Sequence, residues 1–264
     1  MAVSLRDIQG RQFGATVRRD AWWLAPALVA LGLGAFGVYS TWAAWVNAHY
    51  AWGPYLSPFY SPLFKPTWLP AWISPAFLIL GAPLGFRGTC YYYRKAYYRA
   101  FLLDPVACGV GEPRKWYNGE RKLLIIQNAH RFFMYLAVAF IFILGYDAVV
   151  SFIWPVAGVA RDGAMAPGAR EFGIGVGSIV MTLNVVLLAG FTFGCHALRH
   201  AVGGGVDCFS CATLGKQRYQ LWRGVTFLNQ RHQLWAWVSL VWVGLTDVYI
   251  RLVSMGVITD VRLF

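Results

Sequence analysis

The sequence predicts an all-α integral membrane protein: five transmembrane helices bundled in a single domain over residues 1–264. Three observations carry this. Of 264 residues, 58% are hydrophobic and only 13% charged, about half the charged share of an ordinary soluble domain, and the mean hydropathy is +0.49. The charges are clustered, leaving long stretches without Asp, Glu, Lys or Arg. Those stretches lack the polar–apolar alternation that a membrane β-barrel requires. Intrinsic disorder is excluded by the same composition. Five Cys are too few for a disulfide scaffold, and no segment reads as a removable signal peptide.

The elements follow from the gaps between charges. No charged residue occurs between Asp20 and Lys65, and within that gap residues 21–46 are long enough to span, since a helix needs about 20 apolar residues to cross ~30 Å. The further spans are expected at about 68–93, 123–154, 172–198 and 232–257. The connection from Asn47 to Pro70 is rich in Pro, Trp and Tyr. It reads as a rigid interfacial cap with aromatic rings at headgroup level.

Orientation follows from Lys and Arg. Arg6, Arg11, Arg18 and Arg19 precede the first span. Arg94, Lys95, Arg99, Arg114, Lys115, Arg121 and Lys122 lie between the second and third, and Arg199, Lys216, Arg218, Arg223 and Arg231 between the fourth and fifth. The opposite side holds Lys65, Arg161, Arg170, Arg251 and Arg262. This bias predicts the N-terminus inside and the C-terminus outside. The net charge of +12 is read as topology and lipid contact rather than nucleic-acid binding.

On this topology all five Cys and four of the five His fall toward the inside. Soft ligands gathered at one membrane face point to a metal or redox centre. His196 and His200 are four apart and share a helix face, a spacing that lets two imidazoles hold one metal. Cys90 and Cys108 lie at the same expected depth, and the cations around Cys90 favour the thiolate. Two Cys with two His is the ligand set of a Rieske-type [2Fe-2S] centre and also suits zinc. The usual C-x-H and C-x-x-H words are absent. Cys195 directly precedes His196 and points about 100° away on a continuous helix, so it joins that set only if the helix ends there. Cys208-Phe209-Ser210-Cys211 is a solitary C-x-x-C.

His130 and His232 open the third and fifth spans. They suit three roles: axial ligands of haem b, hydrogen-bond partners of a quinone with Arg131 and Trp235 nearby, or imidazoles satisfied by water. Asn128-Ala129-His130-Arg131 and Asn229-Gln230-Arg231-His232 are weakly alike, and each helix carries an Asp further on, Asp147 and Asp247. An ionisable group at that depth is costly. For Asp247 the expected partner is Arg251, four residues on.

The run Gly88-Thr89-Cys90-Tyr91-Tyr92-Tyr93-Arg94-Lys95-Ala96-Tyr97-Tyr98-Arg99, then Gln127-Asn128-Ala129-His130-Arg131, then Cys195-His196 through His200, resembles the single-chain, five-helix membrane anchor of atypical bacterial succinate dehydrogenases, over spans two to five. The resemblance implies a multi-pass subunit of the bacterial plasma membrane, docked on its cytoplasmic face to a flavoprotein subunit and an iron–sulfur subunit. Electrons would pass from succinate to quinone. It also implies a Rieske-type [2Fe-2S] cluster within the anchor in place of haem. With Cys90, Cys108, His196 and His200 as ligands, the imidazoles would raise the cluster potential toward that of a quinone.

Overall fold

The computed structural model describes residues 13–264 apart from 71, 104, 113–127, 161–162 and 166. Arg6, Arg11, Arg161, the run Arg114–Lys122 with Trp116 and Tyr117, and the start of the expected third span therefore lie outside the described residues.

Helix α1 covers Leu24–Val46 and has no charged residue. Pro26 falls in its first turn, where a missing N–H costs nothing. Asn47 ends it in the left-handed region (φ 50°), which Asn tolerates. A short hairpin follows, β1 (Ala51–Trp52) with β2 (Tyr55–Leu56). Next come α2 (Ala76–Thr89), α3 (Tyr91–Tyr97) and a π turn, Tyr98–Leu102. Helix α4 covers His130–Val150. Strand β3 (Ile153–Pro155) pairs antiparallel with β4 (Arg170–Phe172). Then follow α5 (Val176–Phe193), α6 (His196–Gly203), a 3₁₀ turn at Phe209–Cys211, α7 (Gly215–Asn229) and α8 (His232–Ser254).

Four of these helices, α1, α4, α5 and α8, are long and apolar enough to cross a membrane, and α2 is a shorter apolar helix. The all-helical membrane architecture is therefore as expected, with shifted ends. The expected span 68–93 contracts to the 14 residues of α2, which starts only at Ala76 and stops where the chain turns extended at Cys90 (φ −63°, ψ 129°). The expected span 172–198 ends early for the same reason, at Cys195 (φ −65°, ψ 137°).

The chain divides into two compact units, residues 1–38 with 85–130, and residues 39–84 with 131–264. In the first, the N-terminal segment bridges the loop after the π turn through Thr16 and Val110. Gly14 N–H donates to Gly111 O at 3.1 Å and Gly111 N–H to Ala15 O at 2.8 Å.

In the second unit α5 and α8 pack antiparallel, and Trp242 Nε1 donates to Val180 O at 3.1 Å. A cluster of Tyr55, Ala148, Trp154, Met181 and Ile250 closes the end of that helix pair remote from His232. Asp260 fastens it, accepting from Tyr55 Oη at 2.7 Å, Tyr249 Oη at 2.5 Å and Gly177 N–H at 3.0 Å. The 47–70 connection is only partly a surface cap. Tyr55, Ser57, Phe59, Tyr60 and Ser61 are buried, while Phe64 and Trp68 remain exposed. Its hydroxyls carry the reason: Ser57 donates to Asp247, Ser61 to Asp147, and Tyr60 to Ala43 O at 3.0 Å.

The ion pair expected at Asp247 is present. Arg251 Nε lies 2.7 Å from Asp247 Oδ2, and the two side chains are 3% and 0% exposed. Tyr39 Oη also donates to that carboxylate at 2.5 Å. The remaining guanidinium nitrogens reach Ala48 O at 2.6 Å and Ala43 O at 2.7 Å. A cation thus satisfies carbonyls at the C-terminal end of α1, where the helix dipole favours it.

Candidate quinone site and the cysteine–histidine stations

In the first unit α2 ends at Thr89, whose hydroxyl donates to Gly85 O at 2.6 Å. Cys90 follows as the N-cap of α3 and is buried and unoxidised. The His130 ring stacks on Phe86 with centroids 4.9 Å apart, and its Nδ1 lies 2.9 Å from Thr89 Oγ1. The only hydroxyl proton of Thr89 is already given to Gly85, so Oγ1 accepts here and Nδ1 carries the ring proton. In the neutral imidazole the lone pair is then on Nε2.

The second unit repeats this arrangement. Helix α5 ends at Phe193, and Cys195 caps α6 as a second buried, unoxidised thiol. Asn229 Nδ2 donates to Gly194 O at 2.7 Å, tying the break to the end of α7. The His232 ring stacks on Phe191, again at 4.9 Å. In each case the stacked Phe precedes the Cys by four residues. Sequence reading found the His words but not this equivalence, because it carried a helix through residue 195. The condition set for Cys195, that the helix end there, is met.

Trp235 lies one turn beyond His232 on α8. Its ring rests against Gly190 of α5, where an added Cβ would come within 2.6 Å of the ring. Only glycine permits this approach. The Trp235 Nε1 atom is buried with no hydrogen-bond partner among the described residues, and so is Asn184 Oδ1 on α5. Buried polar atoms of this kind are uncommon and call for a partner. Arg131 is exposed, with its guanidinium 5.5 Å from the Phe132 ring centroid.

His196 and His200 share one face of α6 as the spacing predicts, and both are exposed. Cys108 is exposed and free, and its carbonyl accepts from Arg18 at 2.9 Å. Cys90 and Cys108 belong to the first unit, His196 and His200 to the second. Among the described residues no three His, Cys, Asp or Glu side chains gather as ligands of one metal ion. Cys208 and Cys211 form a disulfide in the turn between α6 and α7.

A family model described as "Actinobacterial succinate dehydrogenase subunit SdhC" matches residues 24–256. Among solved structures, a chain of the "Mycobacterium smegmatis Sdh1 complex in the apo form" is similar at 40% sequence identity, covering 94% of each chain with a TM-score of 0.80. No curated protein sequence matches.

Proposed function

This chain belongs to the family of actinobacterial succinate dehydrogenase SdhC membrane subunits, and on that premise we propose that it anchors the dehydrogenase in the membrane and delivers its electrons to quinone. Its partners are the flavoprotein subunit and the iron–sulfur subunit. Each succinate gives fumarate, two electrons and two protons, and one quinone takes up the same number to become quinol. The basic segments put the N-terminus and the α6–α7 connection on the cytoplasmic side, facing the soluble subunits.

The observation that carries the quinone reading is the buried, unpartnered Nε1 of Trp235. An apolar site with few polar handles is what a quinone headgroup requires. The Trp235 N–H is a donor only, so it holds a headgroup oxygen that accepts, which a quinone carbonyl offers. That hydrogen bond draws charge toward the oxygen receiving the electron, which favours reduction. His232, three residues earlier on the same helix, is the residue we assign to proton delivery, since an imidazole can both hold and release a proton. The ring contact with Phe191 fixes its orientation.

A metal centre is the second part of the proposal, carried by donor chemistry alone: thiols outside any disulfide at Cys90, Cys108 and Cys195 and imidazoles at helix starts. When bound, a [2Fe-2S] cluster supplies one-electron transfer. In the set read from the sequence its ligands are Cys90, Cys108, His196 and His200.

The test of the quinone reading is Trp235→Phe in the purified complex. Losing one hydrogen bond of about 1.5 kcal/mol raises the quinone KM roughly tenfold. Succinate oxidation by a soluble dye that accepts electrons upstream stays unchanged. Equal loss with both acceptors would locate the defect outside the quinone site.

A further inference from the structure

Helix α5 buries one face, which includes Gly177, Met181, Asn184 and Phe191. Three of these are the small or apolar residues expected between packed helices. Asn184 is not. It sits midway along an 18-residue apolar helix, is 2% exposed, and its carbonyl oxygen has no partner among the described residues. With no water at that depth, an unpartnered amide weakens the fold unless something donates to it.

Two contacts bracket its position against α8. Val180 lies one turn toward one end, held by Trp242 at 3.1 Å. Gly190 lies toward the other end, beneath the Trp235 ring. Asn184 is six residues from Gly190, about 9 Å of helix rise. One helix pair therefore holds an unpaired acceptor and an unpaired donor, both buried.

We propose that Asn184 is a second binding residue for the headgroup, and that it recognises the reduced form. The asymmetry is chemical. Trp235 donates, and the headgroup oxygen facing it accepts in either oxidation state. The Asn184 carbonyl accepts, so it holds a hydroxyl, which exists only after reduction. Asn184 thus discriminates the two oxidation states at its end of the ring, while Trp235 holds the other end. This inference rests on the quinone reading above and names a further residue for it.

The experiment uses the intact purified complex with 2,3-dimethyl-1,4-naphthoquinone and its quinol as probes. Three quantities are read for Asn184→Leu: the quinone KM, the inhibition constant of added quinol, and the melting temperature. The expected result is a quinol inhibition constant raised about tenfold, one lost hydrogen bond in affinity terms. The quinone KM should change less than twofold, and the melting temperature should hold or rise. An unchanged quinol inhibition constant overturns the inference, whatever the melting temperature does, and leaves Asn184 as a packing residue. If the leucine variant does not assemble, Asn184→Ser, which shortens the reach of the polar group, is read in the same assay with the same two outcomes. Trp235→Phe separates the two levels. A raised quinone KM there, with no effect at Asn184, retains the site and removes this residue from it. No effect at either position removes the site.

Discussion

Replacing Asp247 with Ala should be the most disruptive single change at the end of α8 remote from His232. The carboxylate is fully buried, and its removal leaves the Arg251 guanidinium, itself 3% exposed, without its counter-charge. Two of the three Arg251 contacts survive, to Ala43 O and Ala48 O, so the cation stays trapped instead of swinging to solvent. Tyr39 and Ser57 also lose their common acceptor. Breaking one side of a buried ion pair costs about 3–5 kcal/mol, a factor of roughly 10² to 10⁴ in the unfolding equilibrium. Asp247→Asn should cost less, because its one carbonyl oxygen still accepts from one of the two hydroxyls, which bond different oxygens of the carboxylate. The assay is reversible unfolding by SDS in mixed micelles, followed by tryptophan fluorescence. A double-mutant cycle of Asp247→Asn with Arg251→Gln should give a coupling of roughly 1–3 kcal/mol. A cost below about 1 kcal/mol for Asp247→Ala, or strict additivity in the cycle, would refute the reasoning and make the pair incidental.

Three further outcomes are expected. Gly190→Ala should push the Trp235 ring off α5, since the added Cβ meets the ring at 2.6 Å, and steady-state kinetics should show a raised quinone KM at unchanged dye-linked activity. In non-reducing peptide mapping the peptide that carries both Cys208 and Cys211 should have the mass of the oxidised pair, and replacing both with Ser should leave any iron–sulfur resonance signal intact. Burial, and after it the Asp260 carboxylate, hold the Tyr55 phenol well above the usual range. Tyr55 therefore contributes stability that is fully present below the ordinary phenol pKa of about 10 and is lost as pH rises beyond it. Tyr55→Phe should flatten that alkaline decline and lower stability at neutral pH by about 1.5–3 kcal/mol, the worth of a hydrogen bond to a charged group.

The membrane helices were legible because their signal is cumulative. Twenty residues without charge leave few alternatives, and four of the five expected spans appear at nearly the expected places. What the composition hid was local. Cys90 and Cys195 turn extended within runs whose hydropathy is continuous. At Gly194, which closes α5 one residue before Cys195, a Cβ would meet Gly190 O at 2.7 Å and Leu228 O at 3.2 Å. That packing constraint arises between elements distant in sequence. The 47–70 connection was misjudged for a related reason. Its aromatics suggested an interface, but Ser57 and Ser61 have acceptors in Asp247 and Asp147, more than 80 residues away. Trp235 was found as a polar–aromatic residue one turn from a His. Asn184 was missed because the search weighed charges and metal donors, and an uncharged amide at mid-helix gives neither signal. It was visible in the sequence as the only amide between Phe172 and Leu198.

Photolabelling tests the quinone site most directly. An azidoquinone is irradiated with the intact complex in its membrane, and the labelled peptides are mapped by mass spectrometry. The account predicts label on the first two turns of α8, around His232 and Trp235, and on the facing part of α5 between Asn184 and Phe191, suppressed by excess unlabelled quinone. Competed label confined to other segments, with α5 and α8 unmodified, would contradict it.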